Sequence, residues 1–427
     1  MLNKILNTFG AMSISAVINF LIAIVISQFL GPEGKGEQGI ILATVAFVLV
    51  FSNLVGGATL VYLIPRFRAS LLVLPSYIWS LGISIIAYFI LWIFGIVSDA
   101  FILHISLLSV LNSFISIHST MLIGKEKIKA ANLVSLLQPL IIICSLLLSF
   151  LVFDERTISA YIRSLYIAYG GSLLVSMYYM RKTFGPISKH ELPEYIAVIR
   201  ELFRLGYMNQ LAHITQMLSF RLSYYFLEIY HGEASVGIYS NGIQIMESIW
   251  LISKSISLVQ YARIANTEDK AYSQLLSVRL LKVSFVFSLI CILPLILLPE
   301  SFYLWLFGQG FVGVKEVIYI LAPGVLIYNI SLILGHYFSG TGKYYVNTIA
   351  STAGLAVSLV LFILLIPQYV ETGAGIAASI SYAVTSLVVL IFFIRESKMG
   401  IEFFNIEKGD IQLVKGIFKK NSTPSGS

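Results

Sequence analysis

Charge is scarce in this chain. Its 427 residues contain 28 Lys and Arg and 21 Asp and Glu, so charged side chains make up 11% of the sequence, against roughly 25% in soluble domains. Apolar residues make up 58%, and the mean hydropathy is +0.88. Disordered chains are poor in apolar residues, which excludes disorder. One or two water-soluble cores cannot hide this much apolar surface. Cysteine is nearly absent: Cys144 and Cys291 both sit inside apolar runs and fit no disulfide or metal-site spacing. Both read as core packing. No Gly-Lys-Ser/Thr loop follows a strand pattern, which excludes an ATP-hydrolysing module. No nucleic-acid motif is present and the basic residues are scattered, so nucleic acid is not an expected partner. Neither a metal nor a cofactor is expected.

What the chain does contain is a series of long apolar runs. A spanning helix needs about 20 apolar residues. Breaks at charged or Gly/Pro clusters divide the chain into twelve such runs: 8–30, 39–63, 74–97, 101–123, 131–153, 160–180, 207–230, 235–261, 278–299, 315–339, 344–366 and 373–394. The first run, from Thr8 to Leu30, is longer than a signal-peptide core and reads as a retained helix. The alternating segments of a membrane β-barrel are missing. The fold class is therefore an all-α polytopic membrane protein with about 12 transmembrane helices.

Basic residues give the orientation. With loops counted alternately from the N-terminus, 22 of the 28 Lys and Arg fall on the side of the termini. Four fall on the other side: Lys35, Arg156, Arg163 and Lys315. Arg221 and Lys254 lie within spans. Positively charged loops stay inside, so both termini are expected in the cytoplasm, and the net charge of +7 is a topology signal.

The longest connection, Arg181–Gly206, splits the chain into two groups of six spans. The expected organisation is an N-terminal six-helix bundle over 1–180, a cytoplasmic amphipathic linker over 181–206, a C-terminal bundle over 207–394 and a cytoplasmic tail over 395–427. In the linker, Leu192, Ile196, Ile199 and Phe203 recur at helical spacing beside Arg200 and Arg204, the pattern of a helix lying on a membrane face. The tail reads similarly around Ile411, Val414, Ile417 and Phe418, with Lys415, Lys419 and Lys420. An internal repeat supports the division. Gly31-Pro32-Glu33-Gly34-Lys35-Gly36 follows the first span and Gly232-Glu233-Ala234-Ser235-Val236-Gly237 the seventh, 201 residues later. Six helices per unit makes the repeat parallel. Gly31, Gly36, Gly232 and Gly237 are the candidate hinge turns.

The seventh and eighth spans hold the polar residues that matter. Charge at membrane depth costs about 2.5–3.5 kcal/mol per residue and faces a cavity or a partner. At 100° per residue, Gln210, Arg221 and Glu228 share one face of the seventh span, with His213 and Tyr224 beside them. In the eighth, Glu247 and Lys254 share a face, with Gln244, Ser248 and Ser255 alongside. Arg221 and Glu247 come to similar depth across a short turn. Two readings follow. One is an Arg221–Glu247 ion pair joining the helices, with Lys254 reaching toward water. The other is a hydrated cavity that binds an anionic group through Arg221, Lys254, Gln210, Gln244 and Tyr224. In it, Glu247, Glu228 and His213 would serve ion coupling or charge balance. His104, His118 and His336 read as satisfied core histidines. Asn19, Gln28, Asn53, Gln138 and Asn329 either line the same cavity or bridge helices.

Four segments carry a family resemblance: Phe29-Leu30-Gly31-Pro32-Glu33-Gly34-Lys35-Gly36-Glu37-Gln38-Gly39, Val236-Gly237-Ile238-Tyr239-Ser240, Glu247-Ser248-Ile249-Trp250 and Ala262-Arg263-Ile264-Ala265. With them, the chain resembles the polysaccharide-transporter branch of the multidrug/oligosaccharidyl-lipid/polysaccharide (MOP) flippase superfamily, the O-antigen and capsule repeat-unit flippases. Two positions depart from the pattern: Ser223 stands where relatives often have an acid, and Tyr261 where they often have proline.

The resemblance implies two six-helix bundles alternating between inward-open and outward-open forms in the bacterial plasma membrane. It implies an undecaprenyl-pyrophosphate-linked oligosaccharide as substrate, and leaves room for other glycan-assembly membrane proteins as partners. A multidrug cation antiporter of the same superfamily is the alternative; it favours an acidic or aromatic cavity over a cationic one. A glycan polymerase or ligase is the further rival. Such enzymes generally carry a long external loop with catalytic basic residues, and the longest external loop here, Pro299–Gly313, has no His, Arg or Lys. The protein is therefore not expected to be an enzyme.

Overall fold

The computed structural model describes residues 2–185, 192–264 and 267–397. Among the described residues every regular element is helical. The first half holds α1 (Leu2–Gly56), α2 (Ala58–Leu63), α3 (Ala69–Phe94), α4 (Asp99–Gly124), α5 (Ile128–Leu147, continued by a π turn over Leu148–Val152) and α6 (Ile158–Phe184). The second holds α7 (Leu192–His231), α8 (Glu233–Ser248), α9 (Trp250–Ile264), α10 (Lys270–Leu297), the short α11 (Glu300–Phe307), α12 (Val314–Gly340) and α13 (Tyr345–Ser397).

Two of these helices are double spans. α1 breaks at Gly31 (φ 71°, ψ −171°) and α13 at Val370 (φ 50°, ψ −127°). The α8–α9 pair makes one span with a step at Ile249. With those breaks counted, the chain is the all-α polytopic protein its apolar runs foretell. Seven described stretches are long and apolar enough to cross a membrane, and α6, α7 and the α8–α9 pair lie outside that set. α7 and the α8–α9 pair are the spans that carry the polar residues.

The chain reverses at Gly232. Arg221 and Glu247 are 26 residues apart yet in contact at 2.7 Å, whereas a straight helix would separate them by about 39 Å. The arm of α1 after Gly31 runs antiparallel to α7: Gly39 lies against Tyr224, while Gly206 lies against Leu54. The arm before Gly31 runs antiparallel to α8, where Asn241 donates to Ser27 Oγ (2.8 Å) and Gln244 to the Asn19 carbonyl (3.3 Å). The first two spans are thus a hairpin, and it packs face to face on the hairpin formed by the seventh and eighth.

The two hairpin turns show the repeat in their backbones. Gly232 adopts φ 80° and ψ 179°, nearly the values of Gly31. Left-handed φ at both positions calls for glycine. The second glycine of each turn has another duty. A Cβ on Gly36 would lie 1.9 Å from the Glu233 carbonyl oxygen, and one on Gly237 would lie 2.0 Å from that of Pro32. Backbone therefore rests on backbone, and a seam closes the molecule at the turn side.

Several expectations change. Cys144 is exposed on the outer face of α5 and is not a core residue, while Cys291 is half-buried and packs against the core. A helix facing lipid is as apolar outside as inside, which removes the sequence distinction between core and surface. The linker is not a separate surface helix; it is the opening of α7, continuous with the seventh span. Its Leu192 and Ile196 are exposed, as a membrane-facing stripe requires. Val198 and Leu202 on its other side are buried against Leu60, Leu63 and Leu72. The Pro299–Gly313 connection contains α11, whose Tyr303 and Phe307 are buried. The tail pattern around Ile411–Lys420 lies outside the described residues.

The seam gives a direct test. Substituting G36L or G237L is expected to lower the thermal midpoint of the purified protein by several degrees and speed amide exchange in both turns. G82A, where an added Cβ meets nothing within 4 Å, is the control and does neither.

Candidate functional site

The site begins with a cation that the bilayer would reject alone. Arg221 donates twice to Glu247, Nη1 to Oε1 at 3.0 Å and Nη2 to Oε2 at 2.7 Å. This fork-to-fork geometry is the stronger form of ion pair. The side chains are 24% and 16% exposed, and the guanidinium stands 5.6 Å from the Tyr224 ring centroid, within cation–π range. Of the two readings of the sequence, the helix-joining pair is the one seen for Arg221. Glu228 is not drawn in. It lies two helical turns further along α7, about 10 Å toward the turn; a helical wheel shows shared face but not depth.

Lys254 is the cation left open. It is exposed, with Nζ 5.9 Å from the Trp250 ring centroid, and no carboxylate among the described residues lies within ion-pair distance. His336 on α12 lies within electrostatic reach of Lys254 and of the exposed His213 on α7. Three helices thus bring Lys254, His213 and His336 into one neighbourhood, two to three turns from the Arg221–Glu247 pair and toward the side of the termini. His336 Nδ1 is bonded to the Leu332 carbonyl at 2.7 Å.

The other candidates join helices. Gln210 is buried and donates to the Val50 carbonyl at 3.1 Å. Gln244 bridges α8 to α1 through the Asn19 carbonyl. Tyr224 is buried edge-to-face with Tyr239 at 5.9 Å, and Tyr225 shares a hydrogen bond with Thr44 at 2.7 Å. His118 bonds Ser176 at 2.7 Å and also Tyr77, and His104 bonds Tyr166 at 3.0 Å. Asn329 gathers Ser253, Ser284 and Ser288 onto its Oδ1, holding α9, α10 and α12 together. Gln28 donates to the carbonyls of Trp305 and Leu306, each at 2.9 Å.

At the turn side, Glu33, Glu228, His231 and Glu233 line a pocket of about 450 Å³. Glu228 Oε2 is buried there with no hydrogen-bond partner among the described residues. Two features went unread in the sequence. Lys35, assigned to an external loop, is only 3% exposed and lies inside the seam. Its neighbour at helical spacing, Gln38, was the available signal. An apolar groove of about 650 Å³ also runs between α3 and the start of α7, lined by Ile78, Trp79, Ile83, Tyr195, Ile199 and Phe203 among others. It joins segments more than a hundred residues apart, and no local pattern announces it.

Two face-to-face hairpins, with cations held at membrane depth, form the centre of this all-α polytopic fold. The chain belongs to the polysaccharide biosynthesis protein family, whose model matches residues 1–257. It is 23% identical over 392 residues to the capsular polysaccharide biosynthesis protein CapF of Staphylococcus aureus, covering 91% of this chain and 98% of that one. In fold it resembles the lipid II flippase MurJ in an inward closed conformation (TM-score 0.73, 16% identity, 98% of this chain and 93% of that one). It equally resembles an inward-facing multidrug resistance MATE family transporter of the MOP superfamily (TM-score 0.73, 14% identity, 90% and 94% covered).

Breaking one half of a buried ion pair leaves the other charge uncompensated, at a cost of about 3–5 kcal/mol, while replacing both with apolar groups is often neutral. R221M and E247L are each expected to lower the thermal midpoint sharply, and R221M/E247L to recover most of the loss. A double variant no more stable than either single one would show that the pair is not what joins α7 to α8.

Proposed function

We propose that this protein is a flippase that carries a polyprenyl-diphosphate-linked oligosaccharide from the inner to the outer leaflet of the bacterial plasma membrane, serving O-antigen, capsule or exopolysaccharide synthesis. The observation that carries the reading is the unpaired, exposed Lys254 beside His213 and His336, at membrane depth in a molecule sealed at its turn side. With the termini in the cytoplasm, as the basic loops require, the sealed side is external and Lys254 lies on the side that admits cargo from within. A diphosphate meets a cation there, and the sugars meet polar side chains in place of hydrocarbon, which removes the cost of burying them unbonded. The polyprenyl tail stays in lipid.

The halves over 1–180 and 207–394 rock against each other, joined through the start of α7. Rocking closes the inner side and opens the seam between Gly36 and Gly237, the alternating access that repeats of this kind permit. The Arg221–Glu247 pair holds the second hairpin rigid through this motion. Glu228 and His213 are the groups left available to take up a proton or cation and reset the cycle, because Glu247 is engaged by Arg221. Family membership and the fold shared with MurJ support lipid-linked cargo. The fold shared with the MATE transporter supports the antiporter alternative, but a cationic lining repels cationic drugs. A polymerase or ligase is disfavoured because the Pro299–Gly313 loop carries no basic residue and part of it folds as α11. Other glycan-assembly proteins remain candidate partners.

The test uses the exposed lysine, whose removal leaves no charge stranded. In cells dependent on this protein, K254Q is expected to cut surface glycan at least tenfold at normal protein levels, with lipid-linked glycan accumulating on the inner leaflet. K254R retains most of the activity. Wild-type glycan from K254Q would take Lys254 off the cargo path, and drug efflux without glycan transport would favour the antiporter.

A further inference from the structure

The turn of the first hairpin has two faces. Glu33 and Glu37, four residues apart, share one. Lys35 and Gln38 share the opposite one. The acidic face looks toward Glu233 and Glu228, all within electrostatic reach across the seam. Lys35 looks the other way, into the contact with α8.

Its setting is unusual for an ammonium. A cation so deeply buried ordinarily has a carboxylate beside it, and among the described residues none lies within ion-pair distance. Nζ donates to Gln38 Oε1 at 2.6 Å and reaches Gln244 Oε1 at only 3.5 Å. An ammonium has three donors, so its capacity is underused. The partner at 3.5 Å belongs to the other hairpin, and that contact breaks when the hairpins separate. Gln38 moves with Lys35, so the open form presents an ammonium still braced by its own turn and facing the new gap. Gln244, Glu247 and Lys254 follow one another along the eighth span away from this point. Lys35 therefore stands at the outer end of the polar file whose inner end is Lys254.

We propose that Lys35 is an outer anion-binding group, occluded while the seam is closed and available to a diphosphate when it opens. The cargo's charged headgroup passes from Lys254 to Lys35, and reclosure returns Nζ to Gln38 and Gln244, which expels the anion. The carboxylates on the opposite face of the turn bias the site toward release without occupying it. The idea rests on the diphosphate-bearing cargo proposed above, but it is tested without glycan.

An anion that binds only the open form must shift the population toward it. Spin labels at F153C and I229C, in a background carrying C144S, C291S and K254Q, report the separation of the two halves at the turn side. Inorganic pyrophosphate, titrated into the detergent-solubilised protein, is expected to populate a longer distance. The response is retained in K35R with a shifted midpoint and lost in K35Q. A K35Q protein that responds like its Lys35 parent, or a parent that does not respond, overturns the proposal. Melting midpoints are measured alongside. If K35Q fails to fold, K35R decides, and an unchanged pyrophosphate midpoint in K35R counts against the site. A pyrophosphate response that depends on Lys35, when the protein with its native Lys254 moves no lipid-linked glycan, would overturn the cargo reading and leave the anion site standing.

Discussion

The contact on which the molecule turns is backbone against backbone. Gly36 and Gly237 each press an α-carbon onto a carbonyl of the opposite hairpin, and no side chain intervenes. Small residues let membrane helices approach this closely where no hydrophobic force drives them together. Because the contact is made of main chain at a few points, it separates without dismantling an interdigitated core. A seam of large side chains would have to repack each time it opened. The same economy sets the backbone at Gly31 and Gly232, which turn the chain at one residue and leave the arms helical on both sides.

Around that seam, polar groups are distributed by whether they hold or wait. Arg221 and Glu247 hold: each satisfies the other, and their fork locks α7 to α8. Asn329 and its three serines hold the second half in the same way, as does Gln210 against α1. Lys254, Lys35 and Glu228 wait, each lacking the partner that burial or depth would lead one to expect. Groups left short of partners in a medium that penalises them are natural places to look for exchange with something that comes and goes.

Much of the architecture was legible from the sequence because hydrocarbon enforces length and apolarity on most spans. The repeat was legible from two glycine spacings because only glycine serves those backbone positions. The face shared by Arg221 and Glu228 was legible too, but their separation along the axis was not, since periodicity gives angle more firmly than depth. Lys35 was misplaced for a physical reason: a lysine between glycines looks like solvent-exposed loop, and only the second hairpin, two hundred residues away, buries it. Cys144 erred the opposite way, because an apolar neighbourhood inside a membrane does not mean an interior one. The fusion of the linker with the seventh span escaped notice because charge at Arg200 and Arg204 marks the membrane surface without breaking a helix.

That fusion has a mechanical meaning. α7 is a single rod of 40 residues, roughly 60 Å long. One end is seated in the first half's own core through Val198 and Leu202, and the other ends at the Gly232 turn. The apolar groove between α3 and the foot of α7 therefore borders the same helix that reaches the Gly232 turn.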